Sequence, residues 1–242
     1  MSPRLNEYGQ PIGEPLGNWT ARARPSRSTM AGRYCRLEPV DVLRHGSELY
    51  EAYAAVPDAS DWTYMPVGPF PDLASYQEFL QQATTSEDPL HYAIIDIASG
   101  KAVGTIALMR ITPQHGVVEI GAVTYSRALM RRPAATETMF LLMKHVFDEL
   151  GYRRCEWKCD HLNSRSRQAA LRYGFTFEGI FRQAIAYKGR SRDTAWFSLL
   201  DREWPAIRKG YEEWLAPANF GEDGRQRQAL AVLIARAKGQ PS

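Results

Sequence analysis

The 242 residues lack several features that would each have pointed to a class of function. No apolar run approaches the roughly 20 residues needed to span a bilayer, so no membrane partner is expected. The N-terminal stretch MSPRLNEYGQPIGEP has no apolar core and does not read as a secretory signal. Net charge is only +3, and the arginines fall in scattered pairs, which argues against a nucleic-acid partner. Cysteine is scarce. Cys155 and Cys159 lie on one predicted strand about 13 Å apart, whereas a disulfide needs Cα atoms within roughly 7 Å. Cys35 has no evident mate, and no further ligands stand at metal-site spacing, so no metal is expected. A cytoplasmic protein with reduced thiols is the simplest reading.

Structure is legible from Arg33 onward. Residues 1–30 are rich in Pro, Gly and Arg without periodicity, and read as a disordered tail or as an arm laid over the domain. Trp19 and Tyr8 favour the arm. A short strand ends at Pro39, and Asp41 caps a helix whose apolar face holds Val42, Leu49, Tyr50 and Tyr53. Asp72 caps a second helix carrying Leu73, Tyr76, Phe79, Leu80 and Ala83. His91–Ile97 and Ala102–Ile111 pair around Ser99-Gly100-Lys101. Val117–Tyr125 is apolar on both faces and belongs in the middle of the sheet. The spacing predicts a helix over 136–150, stopped by Gly151. A half-buried strand follows over 153–160, with Cys155, Trp157 and Cys159 on one side and Arg154, Glu156 and Lys158 on the other. A helix runs from Ser164 to a stop at Gly174. A hairpin turns at Lys188-Gly189-Arg190, and Trp204-Pro205 opens a further helix. Leu230, Leu233 and Ile234 mark a short last helix. The order is β-α-α-β-β-β-α-β-α-β-β-α, an α/β (α+β) chain with a mixed sheet. The expected divisions are an arm or tail over 1–30, one domain over 31–202 and a helical extension over 203–242.

Three stretches carry chemistry. The loop Leu129–Thr136 leads from a central strand into a helix N-terminus, where unpaired N–H groups and the helix dipole attract anions. Arg131 and Arg132 add charge there, although an exposed arginine pair has the same pattern. Asn163 and Ser166 read first as helix caps, with a ligand site as the second reading. Glu119 is one carboxylate inside Val117-Val118-Glu119-Ile120-Gly121-Ala122-Val123. An isolated carboxylate there is the best general base on physical grounds, and pairing to a core Arg or Lys is the alternative. His161 is a weaker candidate.

Asn163-x-x-Ser166, then Ala170-Leu171-Arg172-x-Gly174-Phe175-x-x-Glu178-Gly179 and Gln183-Ala184, resembles the GNAT superfamily, in particular its RimJ/RimL-type ribosomal-protein N-terminal acetyltransferases. Glu119-Ile120-Gly121 and Ala135-Thr136-Glu137 match the same pattern. The similarity spans roughly residues 33–200. It implies the GNAT fold, a sheet of about seven strands with helices on both faces and two splayed central strands, here ending near Tyr125 and Asp160. It implies acetyl-CoA as donor, direct attack by a primary amine of a small molecule or a protein N-terminus, and a possible homodimer. The donor site carried over comprises Tyr125, Met130, Arg131, Arg132, Ala134, Ala135, Thr136, Asn163 and Arg167. Ser166 corresponds to the serine proposed to protonate the thiolate, and Glu119 is retained as base. Trp62, Tyr64 and Phe70 would line the acceptor site, or else pack their own loop.

Three departures stand out. Met130 and Pro133 replace the polar residue and the glycine of the usual phosphate loop, and proline removes one backbone donor. Ile185 occupies the position of the RimL-type base. The tyrosine used as acid in other GNATs would fall near Ala170–Leu171 and is absent. The phosphate-loop and base departures motivate one alternative, a non-catalytic acyl-CoA-binding or regulatory domain. Separately, Arg131 or Arg132 would suit an acidic acyl group, so succinyl-CoA is a variant donor within the same class.

Overall fold

Two apolar clusters on opposite faces of one sheet organise the chain. Tyr92 and Ile94 face one cluster while Ala93 and Ile95 face the other, as strand alternation requires. The computed structural model describes residues 4–56 and 58–239, so positions 1–3 of the expected arm and 240–242 of the expected extension lie outside the described residues. The elements are β1 (Arg4–Leu5), β2 (Pro11–Ile12), β3 (Met30–Ala31), β4 (Cys35–Pro39), α1 (Val42–Ala54), α2 (Leu73–Thr85), β5 (Leu90–Asp96), β6 (Ala102–Thr112), β7 (Val117–Tyr125), α3 (Pro133–Lys144), β8 (Arg154–Asp160), α4 (Ser164–Arg172), β9 (Thr176–Tyr187), β10 (Arg190–Leu200), α5 (Trp204–Leu215) and α6 (Leu230–Ala237).

β1 and β2 form a small separate ladder, and the main sheet has eight strands in the order β3-β4-β5-β6-β7-β8-β10-β9. Only β7 and β8 run parallel; the other neighbours are antiparallel. The count exceeds the expected seven because β3, too short to show a period, adds to the edge at β4. The first two helices start where their caps predicted: Asp41 accepts from Arg44 N, and Asp72 makes a capping box with Ser75. Leu49, Tyr76, Leu80 and Ala83 from these helices bury one face of the sheet, each large side chain contributing ~1.5–3 kcal/mol. α3 and α5 cover the other face through Met139, Leu142, Ile207 and Tyr211.

α3 departs from expectation at both ends. It begins at Pro133, whose missing N–H has no intrahelical role at the first position, and it widens into a π-turn over His145–Glu149. Its buried Glu137 accepts from the backbone N–H groups of Arg33, Tyr34 and Cys35 at 2.8, 2.6 and 2.8 Å. Gly32 makes room for that carboxylate, because a Cβ there would meet Glu137 Oε2 at 2.4 Å. β8 was expected to be half-buried, yet Glu156 on its charged face is buried as well, and the Lys158 side chain is only 7% exposed.

The segment before β3 lies on the domain. Trp19 Nε1 donates to Gln114 O at 2.9 Å, and the Arg22 and Arg153 guanidiniums lie over its ring at 4.4 and 5.7 Å. Arg22, Arg24 and Arg27 donate to the carbonyls of Gly151, Glu87 and Ser86. Tyr152 and Tyr92 donate to Ala23 O and Ser26 O. Trp19→Ala is expected to destabilise the protein by ~1–2 kcal/mol, through lost aromatic and cation–π contact, and to expose residues 19–27 to protease. Denaturant unfolding and limited proteolysis check this, and unchanged digestion in that segment counts against it.

Candidate active site

β7 and β8 are paired only at Val117–Arg154, Val118–Cys155 and Glu119–Glu156. Both strands continue, to Tyr125 and Asp160, without a further pair between them. A bulge marks the separation. Ala122 takes φ of 48°, and the β6–β7 register shifts between Ala107–Gly121 and Thr105–Thr124. The strand therefore bends away from β8, and a wedge opens with backbone groups along one side.

After β7 the chain turns into α3. Met130 N and Leu129 N bond Ser126 O, Arg132 N bonds Leu129 O and Ala135 N bonds Arg132 O. Pro133 has no N–H. The N–H groups of Arg131 and Ala134 have no partner among the described residues, and α3 has no side-chain cap. Arg131 itself holds φ of 63°, a left-handed conformation unusual outside glycine. Beside this terminus lies a cavity of about 610 Å³. Arg131, Arg132, Arg172 and Arg225 all line it, and among the described residues no carboxylate does. Arg172 donates both Nη groups to the buried Thr136 Oγ1 at 3.1 Å. The cavity is built for anions: fixed cations, open N–H donors and a helix dipole of the right sign.

The sequence-derived donor residues thus separate. Arg131, Arg132, Ala135 and Thr136 line the cavity. Ala134 contributes its backbone N–H from a buried position, and Met130 serves the turn. Tyr125 sends its hydroxyl across to Ala135 O at 3.2 Å, and burial pushes its pKa up. Asn163 caps α4, accepting from Ser166 N at 3.1 Å, while its amide nitrogen has no partner among the described residues. Ser166 Oγ accepts from Trp157 Nε1 at 3.0 Å. Arg167 turns to His161 O at 3.4 Å and to the Phe177 ring, and does not reach the cavity.

On the other face, charge is laid across the strands. Glu119 takes Arg110 Nη1 at 2.7 Å and Lys158 Nζ at 2.9 Å; Lys158 also meets Glu156 at 2.7 Å. Arg154 continues the ladder to Glu156 and Glu178. Trp196 roofs it, with Lys158 Nζ 3.8 Å from the ring centroid and Phe181 stacked at 4.5 Å. The premise that made Glu119 a base, an isolated carboxylate among apolar groups, does not hold: two cations engage it. Ile185 sits on the edge strand opposite Arg192 and brings no carboxylate.

Asp160, which sequence reasoning passed over, ends β8 beside the wedge. It is 5% exposed and accepts from Tyr187 Oη and Leu162 N, both at 2.9 Å. Among the described residues no lysine or arginine lies within ion-pair range, and His161 Nδ1 is 3.9 Å away. One signal was available: a carboxylate at the carboxyl end of a parallel strand, where α/β sheets bind ligands.

The α1–α2 connection roofs this side. Arg127 forks onto Asp61 at 3.0 and 3.1 Å, and Tyr64 Oη donates to Leu162 O at 3.3 Å. From the β9–β10 turn, Lys188 Nζ donates to Trp62 O and Val67 O at 2.9 and 3.2 Å, and Arg190 to Thr63 O at 2.6 Å. Trp62 and Phe70 pack edge-to-face at 5.4 Å and against Tyr53 and Tyr76. Of the three expected lining aromatics, Tyr64 alone bridges to the connection between β8 and α4.

Comparison with known proteins meets this geometry. Residues 37–176 match the family model of the acetyltransferase (GNAT) domain. The crystal structure of a GCN5-related N-acetyltransferase from Brucella melitensis is 51% identical, with 90% of this chain and 99% of that one covered and a TM-score of 0.89. A GNAT-family acetyltransferase structure from Chromobacterium violaceum is 40% identical, over 84% of this chain and 100% of its own, with a TM-score of 0.75. The uncharacterized N-acetyltransferase p20 of Bacillus licheniformis is 27% identical over 175 residues, 71% of this chain and 93% of its own length.

The ladder has a pH signature. The Arg154 fork, with Ser198 adding a bond, holds the Glu178 carboxyl down at about 2 against an ordinary 4.5. A depressed folded-state pKa stabilises above the unfolded value and loses that contribution as pH falls through the folded value. Stability is therefore expected to drop between about pH 4.5 and about pH 2, and Glu178→Gln is expected to flatten that part of a melting-temperature profile. An unchanged slope in the variant rejects the assignment.

Proposed function

Because the chain belongs to the GNAT acetyltransferase family, we propose that it transfers an acetyl group from acetyl-CoA to a primary amine, in the manner of the RimJ/RimL-type branch. The observation that carries the reading is the wedge between β7 and β8, with the uncapped α3 terminus and its carboxylate-free arginine cavity alongside. Asn163-x-x-Ser166 and Glu178-Gly179 support the branch. We take 31–202 as the catalytic domain, 1–30 as its arm and 203–242 as its extension. Three buried free thiols agree with a cytoplasmic setting.

When bound, acetyl-CoA supplies an activated acyl carbon and a thiolate leaving group. The protein's part is binding, orientation and proton handling. The open N–H groups of Arg131 and Ala134, with Arg131 and Arg132, fit a diphosphate. Both arginines belong to that cavity, so they give no ground for an acidic acyl donor such as succinyl-CoA. Asn163 offers its amide nitrogen to the pantetheine arm. The bulged stretch from Ala122 to Tyr125, unpaired with β8, presents backbone N–H to the acyl oxygen as negative charge develops there. Ser166 accepts from Trp157 and keeps a hydroxyl proton of its own. Its first role is positioning and its second is donation to the departing sulfur.

Proton removal from the amine passes to Asp160 in this reading, because it is the carboxylate beside the wedge with no lysine or arginine partner. Burial raises the Tyr187 phenol, and Asp160 adds to the shift, so Tyr187 stays protonated and holds the carboxylate in place. Glu119 becomes a positioning residue that sets Lys158 and the strand separation.

Saturating acetyl-CoA, at a hundredfold excess over its Kd, is expected to raise the melting temperature by roughly 5–10 °C, and by less in Asn163→Ala. No shift with any acyl-CoA would sink the proposal. Asp160→Asn is expected to lower kcat by about 10²-fold without changing the acetyl-CoA shift. Glu119→Gln is expected to lower the melting temperature as well as activity. If Asp160→Asn turns over normally while a folded Glu119→Gln does not, the base assignment is reversed.

A further inference from the structure

The donor cavity has a wall that the family match does not reach. The match ends at residue 176, yet Trp214, Phe220, Gly224 and Arg225 line the same cavity as Arg132 and Arg172. We propose that this C-terminal wall is part of the donor site, with Arg225 recognising the 3′-phosphate on the nucleotide end of coenzyme A. The inference rests on the reading of acetyl-CoA as donor.

The wall is a built structure. α5 buries Ile207, Tyr211 and Trp214 against the core, and Tyr211 Oη donates to Tyr173 O at 3.2 Å. α6 packs so closely on α5 that a Cβ on Gly210 would meet the Ile234 backbone at 2.9 Å. Between these helices the chain is folded on itself. Asn219 Nδ2 donates to Trp214 O and Gln228 O at 3.1 and 3.2 Å, its Oδ1 accepts from Gln228 N at 2.9 Å, and Trp214 Nε1 donates to Gln226 Oε1 at 2.8 Å. Phe220 bridges to Gln226, and Gly221 N bonds Arg225 O at 2.9 Å. Gly224, at φ of 73°, makes the turn that delivers Arg225. Local bonds hold the loop, and of its two arginines Arg225 lines the cavity.

Charge argues for the ligand. Four guanidiniums and no carboxylate form the lining. Arg225 touches Asp223 at 3.6 Å with its side chain 88% exposed, a contact of little energetic weight. Arg172 has no carboxylate partner among the described residues, and Thr136 fixes its orientation. Coenzyme A carries two separate anionic groups, a diphosphate and a 3′-phosphate. The α3 terminus with Arg131 and Arg132 accounts for the first. Arg225, presented by a different segment, is placed for the second, with Arg172 set between the two walls.

Calorimetric titration of the intact protein and of Arg225→Ala with coenzyme A and with 3′-dephospho-coenzyme A tests this. Arg225 is exposed, so the substitution leaves the core untouched. The intact protein is expected to bind coenzyme A more tightly than the dephospho form. Arg225→Ala is expected to weaken coenzyme A binding about tenfold, the order of a charge-assisted contact, and to leave the dephospho form unchanged. Arg225→Lys is expected to restore part of the preference. Binding of coenzyme A with no effect of the substitution, or an equal loss for both ligands, overturns the assignment of Arg225 while the donor reading stands. Failure of the intact protein to bind either ligand overturns both.

Discussion

Parallel pairing between β7 and β8 lasts for three residue pairs, and at the third the hydrogen-bonded ladder gives way to an ionic one. Glu119 and Glu156 form that last pair, and Lys158 spans them. Two strands that must diverge lose the bonds that set their spacing, and a buried lysine between two carboxylates replaces them. Burying such charges is expensive, and removing one member leaves the others uncompensated, at ~3–5 kcal/mol for a buried pair. Trp196 lies over Lys158 with Nζ 3.8 Å from its ring centroid, and Phe181 stacks on Trp196. The wedge, the turn into α3 and the approach of α4 all depend on where that pairing stops.

Either side of the wedge has its own electrostatic character. The cavity at the α3 terminus gathers guanidiniums without a carboxylate. Beneath the aromatic roof stands Asp160, buried and without a lysine or arginine partner. On the proposed reading, an anionic donor and a cationic amine each face a surface of complementary sign. The coil that opens the wedge is the same bulge at Ala122 that frees backbone donors between the two surfaces.

Legibility in the sequence followed the range of the interactions. Asp41 and Asp72 were readable as caps because a cap is local, and Leu230, Leu233 and Ile234 were readable as a stripe because helical period is local. β3 has two residues and no period to show. The π-turn over His145–Glu149 contains no glycine or proline that would mark it in the sequence. Where a residue's surroundings differ from expectation, one cause recurs. Glu119 meets Arg110 from β6 and Lys158 from β8, and only the strand register brings the three together. Arg167 has the spacing of a donor contact, but α4 rotates it toward Phe177. Arg225 carries no motif, and a self-bonded loop more than fifty positions after Arg172 brings it to the same cavity.

The tether between the β9–β10 turn and the α1–α2 connection has a consequence for how this scaffold can change. Lys188 and Arg190 grip the carbonyls of Trp62, Thr63 and Val67, not their side chains. Every residue type carries that carbonyl, so the strap is indifferent to the letters written along it. Side chains from 62 to 67 can be exchanged while the two segments remain fastened, which separates the chemistry displayed by the roof from the mechanics that hold it up.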